Sequence, residues 1–417
     1  MKSKLLKIIY YFYKILAKLY IKKHKPFVIW ITWSVWKTWC RTIVYNVLKN
    51  YLKDKVIYSS PKNYNSELWL VFSIFNLENY SPWVLSLIKI YFKFLLELFI
   101  WKKKYDVIVL EYWIDHPWDM DFLLSIVKPD FSIFTKMDYI HVENFDSIED
   151  VLEEKMKLIH ETKEYSFINY SDEYQKGYSS NILGDYFYYN KDLNYNFEYK
   201  KSNNKIYSFI TIWTKTIQTN LLGWENFIYL LLALDLLKKW FLLDYEDNDY
   251  ISFDIQKWRF DIYDWINESI IIDSSYNAWP QSVLKMIDNT LDIKKNLFQD
   301  YKVLFVLWDM RELWVNSASQ HKKIFQYANK FWEIVSVWKE TKEYFWEHLW
   351  NFKYSIDAWN YIKEFLASSN DKYIILFKWS QNTIFLEEAI KVLLKNPLEI
   401  NNLVRQDSFW KEKKKNY

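Results

Sequence analysis

Residues 27–52 read FVIWITWSVWKTWCRTIVYNVLKNYL. An apolar run of strand length, Phe27 to Trp30, leads through a Lys37-Thr38 pair into a helical pattern. Strand, loop and helix in that order set a helix N-terminus, with its free N–H groups and partial positive charge, beside any anion the loop holds. A loop that cradles phosphate needs residues small enough for backbone N–H groups to close on the ligand. Indoles at Trp33, Trp36 and Trp39 contradict that need. With glycine at Trp30, Trp33, Trp36 and Trp39 the stretch becomes GITGSVGKTG, in which Lys37 reaches the β- and γ-phosphates and Thr38 ligates Mg2+.

Composition argues the same way. The chain has 3 Gly and 24 Trp in 417 residues, and Trp and Gly together make up the share that Gly alone usually has, about 7%. Trp30 and Trp308 follow strands, Trp118 and Trp279 precede Asp and Pro, and Trp240 ends an apolar helical run. Bulky side chains at so many turns are sterically costly. We read most or all of these Trp as glycines, arising from a UGA codon that the source decodes as glycine. The competing reading is a truly Trp-rich protein that stacks on sugars or anchors at a membrane interface, but the Trp follow no period that would gather them on one surface.

The length points to two or three domains. A net charge of +3 gives no argument for a nucleic-acid partner. Cys40 is the sole cysteine, which makes a reducing cytoplasm the expected compartment. Residues 1–25 alternate Lys4, Lys7, Lys14 and Lys18 with Leu5, Ile8, Ile9, Phe12, Leu16 and Leu19. That pattern predicts a basic amphipathic helix, suited either to peripheral contact with the inner face of a membrane or to docking on the rest of the protein. Val84 to Ile100, broken by Lys89, Lys93 and Glu97, reads as a half-buried helix. From Pro26 onward short apolar runs alternate with helical patterns, predicting an α/β fold with mostly parallel sheets. The expected strands are FVIWIT, VIYSS, YDVIVLEY and FSIFT, then SIIIDS, KVLFVLWD, IVSVW and YIILFKW.

Several further motifs follow in order. Asn65, Ser66 and Glu67 precede a restored glycine at Trp69. Glu111 ends the strand YDVIVLEY, His141 sits in FTKMDYIHVENFDS, and Lys155 lies in the helix after it. INYSDEY carries Asn169 and Asp172, and LLGWENF carries Gly223 and Asn226. KWRFDIYDW, restored to KGRFDIYDG, carries Arg259, and IIDSSYNAWPQS carries Asp273, Tyr276 and Asn277. VLWDMRELW, with Ser317 and His321 beyond it, restores to VLGDMRELG, and FKWSQNTIFLEE, restored to FKGSQNTIFLEE, carries Lys378 and Ser380. This ordered series resembles the Mur ligases, and within them the branch that adds D-alanyl-D-alanine. Lys136, Asp138, Tyr139, Lys157, Ser171, Trp224, Glu225 and Gln381 depart from the family's pattern.

The resemblance implies a P-loop ATPase domain with a central, mostly parallel sheet over 26–254 and a Rossmann-like α/β domain over 255–410, flanked by the helix of 1–25 and a charged tail at 411–417. It implies an ATP-dependent amide ligase of peptidoglycan precursor synthesis. ATP and Mg2+, two ions, are the expected cofactors. Lys37, Lys155 and His141 are the expected catalytic residues, Lys155 as a carbamylated lysine. Trp33, Ser34, Val35, Trp36, Lys37, Thr38, Asn226, Arg259 and Asp273 fall at nucleotide positions, and Thr38, Glu111 and His141 at metal positions. Asn65, Ser66, Glu67, Tyr276, Asn277, Lys378 and Ser380 fall at substrate positions. A muramoyl peptide and a dipeptide amine are the expected substrates, and a monomer the expected state. The family's usual UDP-binding domain precedes the ATP loop; here only about thirty residues do. Two alternatives stay open: a different acid and amine pair, or a nucleotide-binding derivative without catalysis.

Overall fold

The computed structural model describes residues 2–412 except 33–35, 60–68, 76, 78–83, 101–104, 113, 115, 138–143, 146, 180–181, 183, 192–193, 203–204, 255–259, 265–267, 275–277, 311–312, 314–315, 332, 338, 345–349, 353–354, 379–386, 388–389, 392–393, 404–405, 407–409 and 411. Two compact units emerge. The first holds 1–195, 213–215 and 225–253; the second holds 196–212, 216–224 and 254–417. Residues 196–212 and 216–224, which lie inside the 26–254 range drawn from sequence, thus group with the second unit.

The chain opens with α1 (Lys2–His24), β1 (Phe27–Thr32), α2 (Lys37–Tyr51), β2 (Ile57–Ser59), α3 (Trp69–Ile74), α4 (Val84–Ile100) and β3 (Val107–Glu111). It continues with α5 (Asp119–Leu124), β4 (Phe131–Phe134), α6 (Ile148–His160), β5 (Tyr165–Asn169), α7 (Glu173–Tyr178) and β6 (Tyr186–Tyr189). The six strands form a sheet in the order β2-β3-β1-β4-β5-β6, every pairing parallel. β3 and β4 are buried along their whole length and β1 nearly so, as apolar runs covered on both faces must be. Because the order reverses around β1, a crevice lies beyond the carboxyl ends of the central strands. That is where the loop before Lys37 begins.

Residue type explains how α1 sits. Tyr13, Leu16, Ala17 and Tyr20 share one helical face and are buried, in one cluster with Val28 and Trp30 of β1. Tyr13 packs edge-on against Phe72 and Phe94, at 5.3 and 5.9 Å between ring centroids, and its hydroxyl donates to the Leu87 carbonyl at 2.6 Å. The buried face of this helix docks on the body of the unit.

Next come β7 (Tyr195–Ser202), β8 (Lys205–Ile212), β9 (Lys215–Thr219), α8 (Trp224–Trp240) and β10 (Asp249–Ile251). α8 has little amphipathic contrast because it is buried almost all round. Its Trp240 ring lies 4.7 Å from Phe131 and 5.3 Å from Phe167. The second unit continues with β11 (Asp261–Asp264), β12 (Ile270–Ser274), α9 (Pro280–Leu297), β13 (Lys302–Trp308), α10 (Ser317–Ala328), β14 (Glu333–Val337), α11 (Lys339–Tyr344), β15 (Asn351–Phe352), α12 (Ser355–Ser368) and β16 (Tyr373–Lys378). Its sheet runs β11-β12-β16-β13-β14-β15, parallel except for the antiparallel edge β11. The mixed α/β architecture with mostly parallel sheets expected from the sequence is what the chain adopts.

Among the described residues three indoles occupy left-handed backbone: Trp36 at φ 61°, Trp118 at φ 76° and Trp213 at φ 55°. Trp118 and Trp213 are also 74% and 77% exposed, so little core burial offsets the strain. In the core, the Trp30 ring centroid lies 3.7 Å from that of Tyr112, tilted by 48°. Aromatic pairs normally rest at about 4.5–7 Å, so this pair is crowded. Gly223, a true glycine at φ 88°, shows the contrast: a Cβ there would lie 2.5 Å from Asn289 Nδ2.

Candidate active site

β1 delivers the chain to the head of α2, whose first residues Lys37 and Thr38 are only 4% and 5% exposed. The register pairs Ile31 of β1 with Glu111 of β3, which brings the carboxyl ends of the two strands side by side. Thr38 Oγ1 donates to Glu111 Oε1 at 3.1 Å, and Arg41 Nε donates to Glu111 Oε2 at 3.1 Å. Arg41 Nη1 also donates to Ser59 Oγ at the end of β2, at 3.0 Å. A lysine, a threonine, an arginine and a glutamate are therefore buried together where three strands end and a helix begins.

The spacing of this group bears on a metal. Neighbouring oxygens around an octahedral Mg2+, each at about 2.1 Å from the ion, stand roughly 3.0 Å apart. The Thr38 and Glu111 oxygens have that separation, so both fit one cation of this kind. Among the described residues no group of three or more His, Cys, Asp or Glu side chains gathers, and His141 lies outside them. Cys40, one turn into α2, is fully buried; burial and then the Glu111 charge push its thiol well up, leaving no thiolate for nucleophilic chemistry.

Sequence reasoning missed Arg41. It stands four residues after Lys37, on the buried face of α2 with Ile43, Val44 and Val47. A lone arginine in an otherwise apolar helical face is the available signal, since such a charge needs a buried counterion.

Lys155 of α6 is 2% exposed, which excludes a solvated surface charge. A lysine so buried must be paired or chemically modified. Its neighbour Glu154 accepts from Met120 N at 2.9 Å and pairs with Lys157 at 2.7 Å, and Lys157 also reaches Asp121 at 2.6 Å. Asp172 holds the end of β5 in place. It accepts from Met137 N at 2.6 Å and from Tyr174 N and Gln175 N at 3.1 Å, capping α7, while burial raises its carboxyl pKa.

In the second unit, Asp273, the penultimate residue of β12, and Lys378, the last residue of the adjacent β16, are 0% and 4% exposed. Lys378 Nζ donates to Ser274 Oγ at 3.2 Å and to the Ser274 carbonyl at 3.3 Å. Asp309 follows the neighbouring β13 and accepts from Thr341 N at 2.7 Å and Glu340 N at 3.0 Å. His321 stands behind it: Met310 N donates to Nε2 at 2.9 Å, which leaves Nδ1 to donate to the Ser317 carbonyl at 2.8 Å. Asn226 lies in the first turn of α8, 8% exposed. Trp33, Ser34, Val35, Asn65, Ser66, Glu67, His141, Arg259, Tyr276, Asn277 and Ser380 lie outside the described residues.

These features define an α/β chain with a P-loop-type strand-to-helix junction and a further α/β unit. Residues 89–237 match the Mur ligase middle domain. That match covers about a third of the chain, whose mixed α/β fold is consistent with the Mur ligase fold; members of the Mur ligase family are ATP-dependent acid–amino acid ligases. Among solved structures it is similar to the MurF ligase of Thermotoga maritima in complex with ADP, at 19% identity and TM-score 0.68, covering 97% of this chain and 84% of that one. MurF from Acinetobacter baumannii aligns at 16% identity and TM-score 0.71, over 92% and 80%. E. coli FolC in complex with ADP, without folate substrate, aligns at 14% identity and TM-score 0.53, over 88% and 90%. At such identities the likeness is one of fold. No curated protein matches the chain by sequence.

Proposed function

We propose that this chain is an ATP-dependent ligase that joins the carboxylate of a muramoyl peptide to D-alanyl-D-alanine or a similar amine. The observation that carries the reading is the buried group of Lys37, Thr38, Arg41 and Glu111 at the junction of β1 and α2. In this reading a substrate carboxylate oxygen attacks the γ-phosphorus of ATP, the bond to the β-phosphate breaks, and ADP leaves, giving an acyl phosphate. The amine then attacks the acyl carbon, the amide forms, and phosphate leaves with the bonding electron pair.

The protein's own residues position and neutralise. Lys37 and the N-terminus of α2 offset phosphate charge, and Arg41 fixes the orientation of the Glu111 carboxylate. Thr38 and Glu111 would hold Mg2+, which when bound supplies positive charge against the phosphates. His141 and a carbamylated Lys155 are proposed at a second metal position, where the burial of Lys155 fits a modified side chain better than a solvated one. Asn226, Arg259 and Asp273 are proposed nucleotide contacts. Asn65, Ser66, Glu67, Tyr276, Asn277, Lys378 and Ser380 are proposed on the substrate side.

The same reading requires glycine at the loop positions 33 and 36. The left-handed backbone of Trp36 supports it, because only glycine takes φ 61° without strain. Peptide mass spectrometry of the native protein tests the point: glycine masses at 33 and 36 are expected, and indoles there would overturn the ATP site. Phosphate release from ATP, measured with each acid and amine alone and together, tests the ligase. Release that needs another acid and amine pair would replace the substrates and keep the reaction.

A further inference from the structure

The helices α1 and α4 carry a second surface that the ligase reading does not use. Leu87, Phe94 and Leu98 turn one face of α4 into the core. The opposite face holds Ile88, Phe92, Leu96 and Phe99, spaced four, four and three apart, and exposed by 41%, 56%, 58% and 72%. Four large apolar side chains in one line along a helix are a contiguous patch, unlike the scattered apolar residues of an ordinary surface. The patch continues onto α1, where Tyr11 and Phe12 are 61% and 47% exposed and Phe12 meets Tyr91 edge-on at 6.1 Å.

Charge says what covers it. Lys89 and Lys93 alternate with the apolar stripe on α4, and Lys18 and Lys22 are exposed on α1, a 23-residue helix with seven lysines and no acid. The one acid in α4, Glu97, is tucked in at 15% side-chain exposure, 3.9 Å from Lys93. A second copy of this face would set lysine against lysine, so self-association is disfavoured. Apolar side chains interleaved with an excess of exposed lysines match the boundary between acyl chains and anionic headgroups. No helix among the described residues is long and apolar enough to cross a membrane, so the helices lie along such a surface.

We propose that the outer face of α4, with the exposed edge of α1, binds the protein peripherally to anionic phospholipid bilayers. None of these side chains is a Trp, so the proposal is independent of the identity of residues 33, 36 and 39 and of the ligase reading.

Flotation of the full chain with phosphatidylcholine vesicles, with and without phosphatidylglycerol, tests it. The expected result is binding that appears with phosphatidylglycerol, weakens in high salt, and falls about tenfold or more in Phe92→Glu/Leu96→Glu. These positions are exposed, and an unchanged circular dichroism melt identifies a folded variant; Lys89→Glu/Lys93→Glu supplies a second variant expected to lose binding. No binding to either vesicle, or equal binding by the variants, would overturn the proposal. So would a concentration-dependent dimer that both pairs of substitutions abolish while vesicles stay unbound.

Discussion

Arg41 illustrates how much of the site rests on charges that compensate one another out of water. It and Glu111 are each 5% exposed at the side chain, and removing one partner of such a pair strands the other. Arg41→Ala is therefore expected to cost about 3–5 kcal/mol of stability, measured by denaturant unfolding. Arg41→Lys should recover only part of it, because lysine cannot bridge Glu111 and Ser59 with two directed N–H groups. His321 gives a pH signature. Burial lowers its pKa below the ordinary 6.5, and the Met310 N–H aimed at Nε2 leaves no room for a second proton; Ser317, Asp309 and Glu340 oppose this only in part. The unfolded chain takes up the proton first, so this contribution is complete above about pH 6.5 and is lost as pH falls toward the folded value. Asp309, raised by burial, works in the opposite sense. The unfolding free energy of wild type minus His321→Asn should therefore shrink between neutral and mildly acid pH, and a difference that stays constant would refute the assignment.

At the scale of elements, the turns carry the clearest prediction. Trp36, Trp118 and Trp213 sit at positive φ, where a side chain costs roughly 1–2 kcal/mol per residue. Glycine at Trp118 or Trp213 should raise stability by about that amount, read as an upward shift in the unfolding midpoint; a loss of stability would argue for genuine indoles. The strands were legible because an apolar run flanked by turn residues has few other uses: FVIWIT is β1 from end to end, KVLFVLW is β13, IVSV lies in β14 and YIILFK is β16. Lys37, Thr38 and Glu111 were legible because strand ends and a helix start converge on one edge of a parallel sheet. Arg41 was not, since its role depends on a counterion seventy residues away across the β1–β3 register. The grouping of β7, β8 and most of β9 with the second unit was equally hidden, because sequence order alone keeps them with the first.

For the whole molecule, the match to the Mur ligase middle domain and the Mur ligase fold agree with the proposed ATP-driven amide synthesis. The proposed chemistry asks little of the protein beyond placing three reactants and neutralising phosphate. A single charge in the loop should therefore matter greatly: losing a transition-state contact of this kind costs about a hundredfold or more in rate. The most direct measurement is phosphate release from ATP with UDP-muramoyl-tripeptide and D-alanyl-D-alanine, using chain with glycine at 30, 33, 36 and 39, beside its Lys37→Ala variant. The account predicts release that requires both substrates together and Mg2+, and that falls by about a hundredfold or more in the variant. Undiminished release from Lys37→Ala would contradict it.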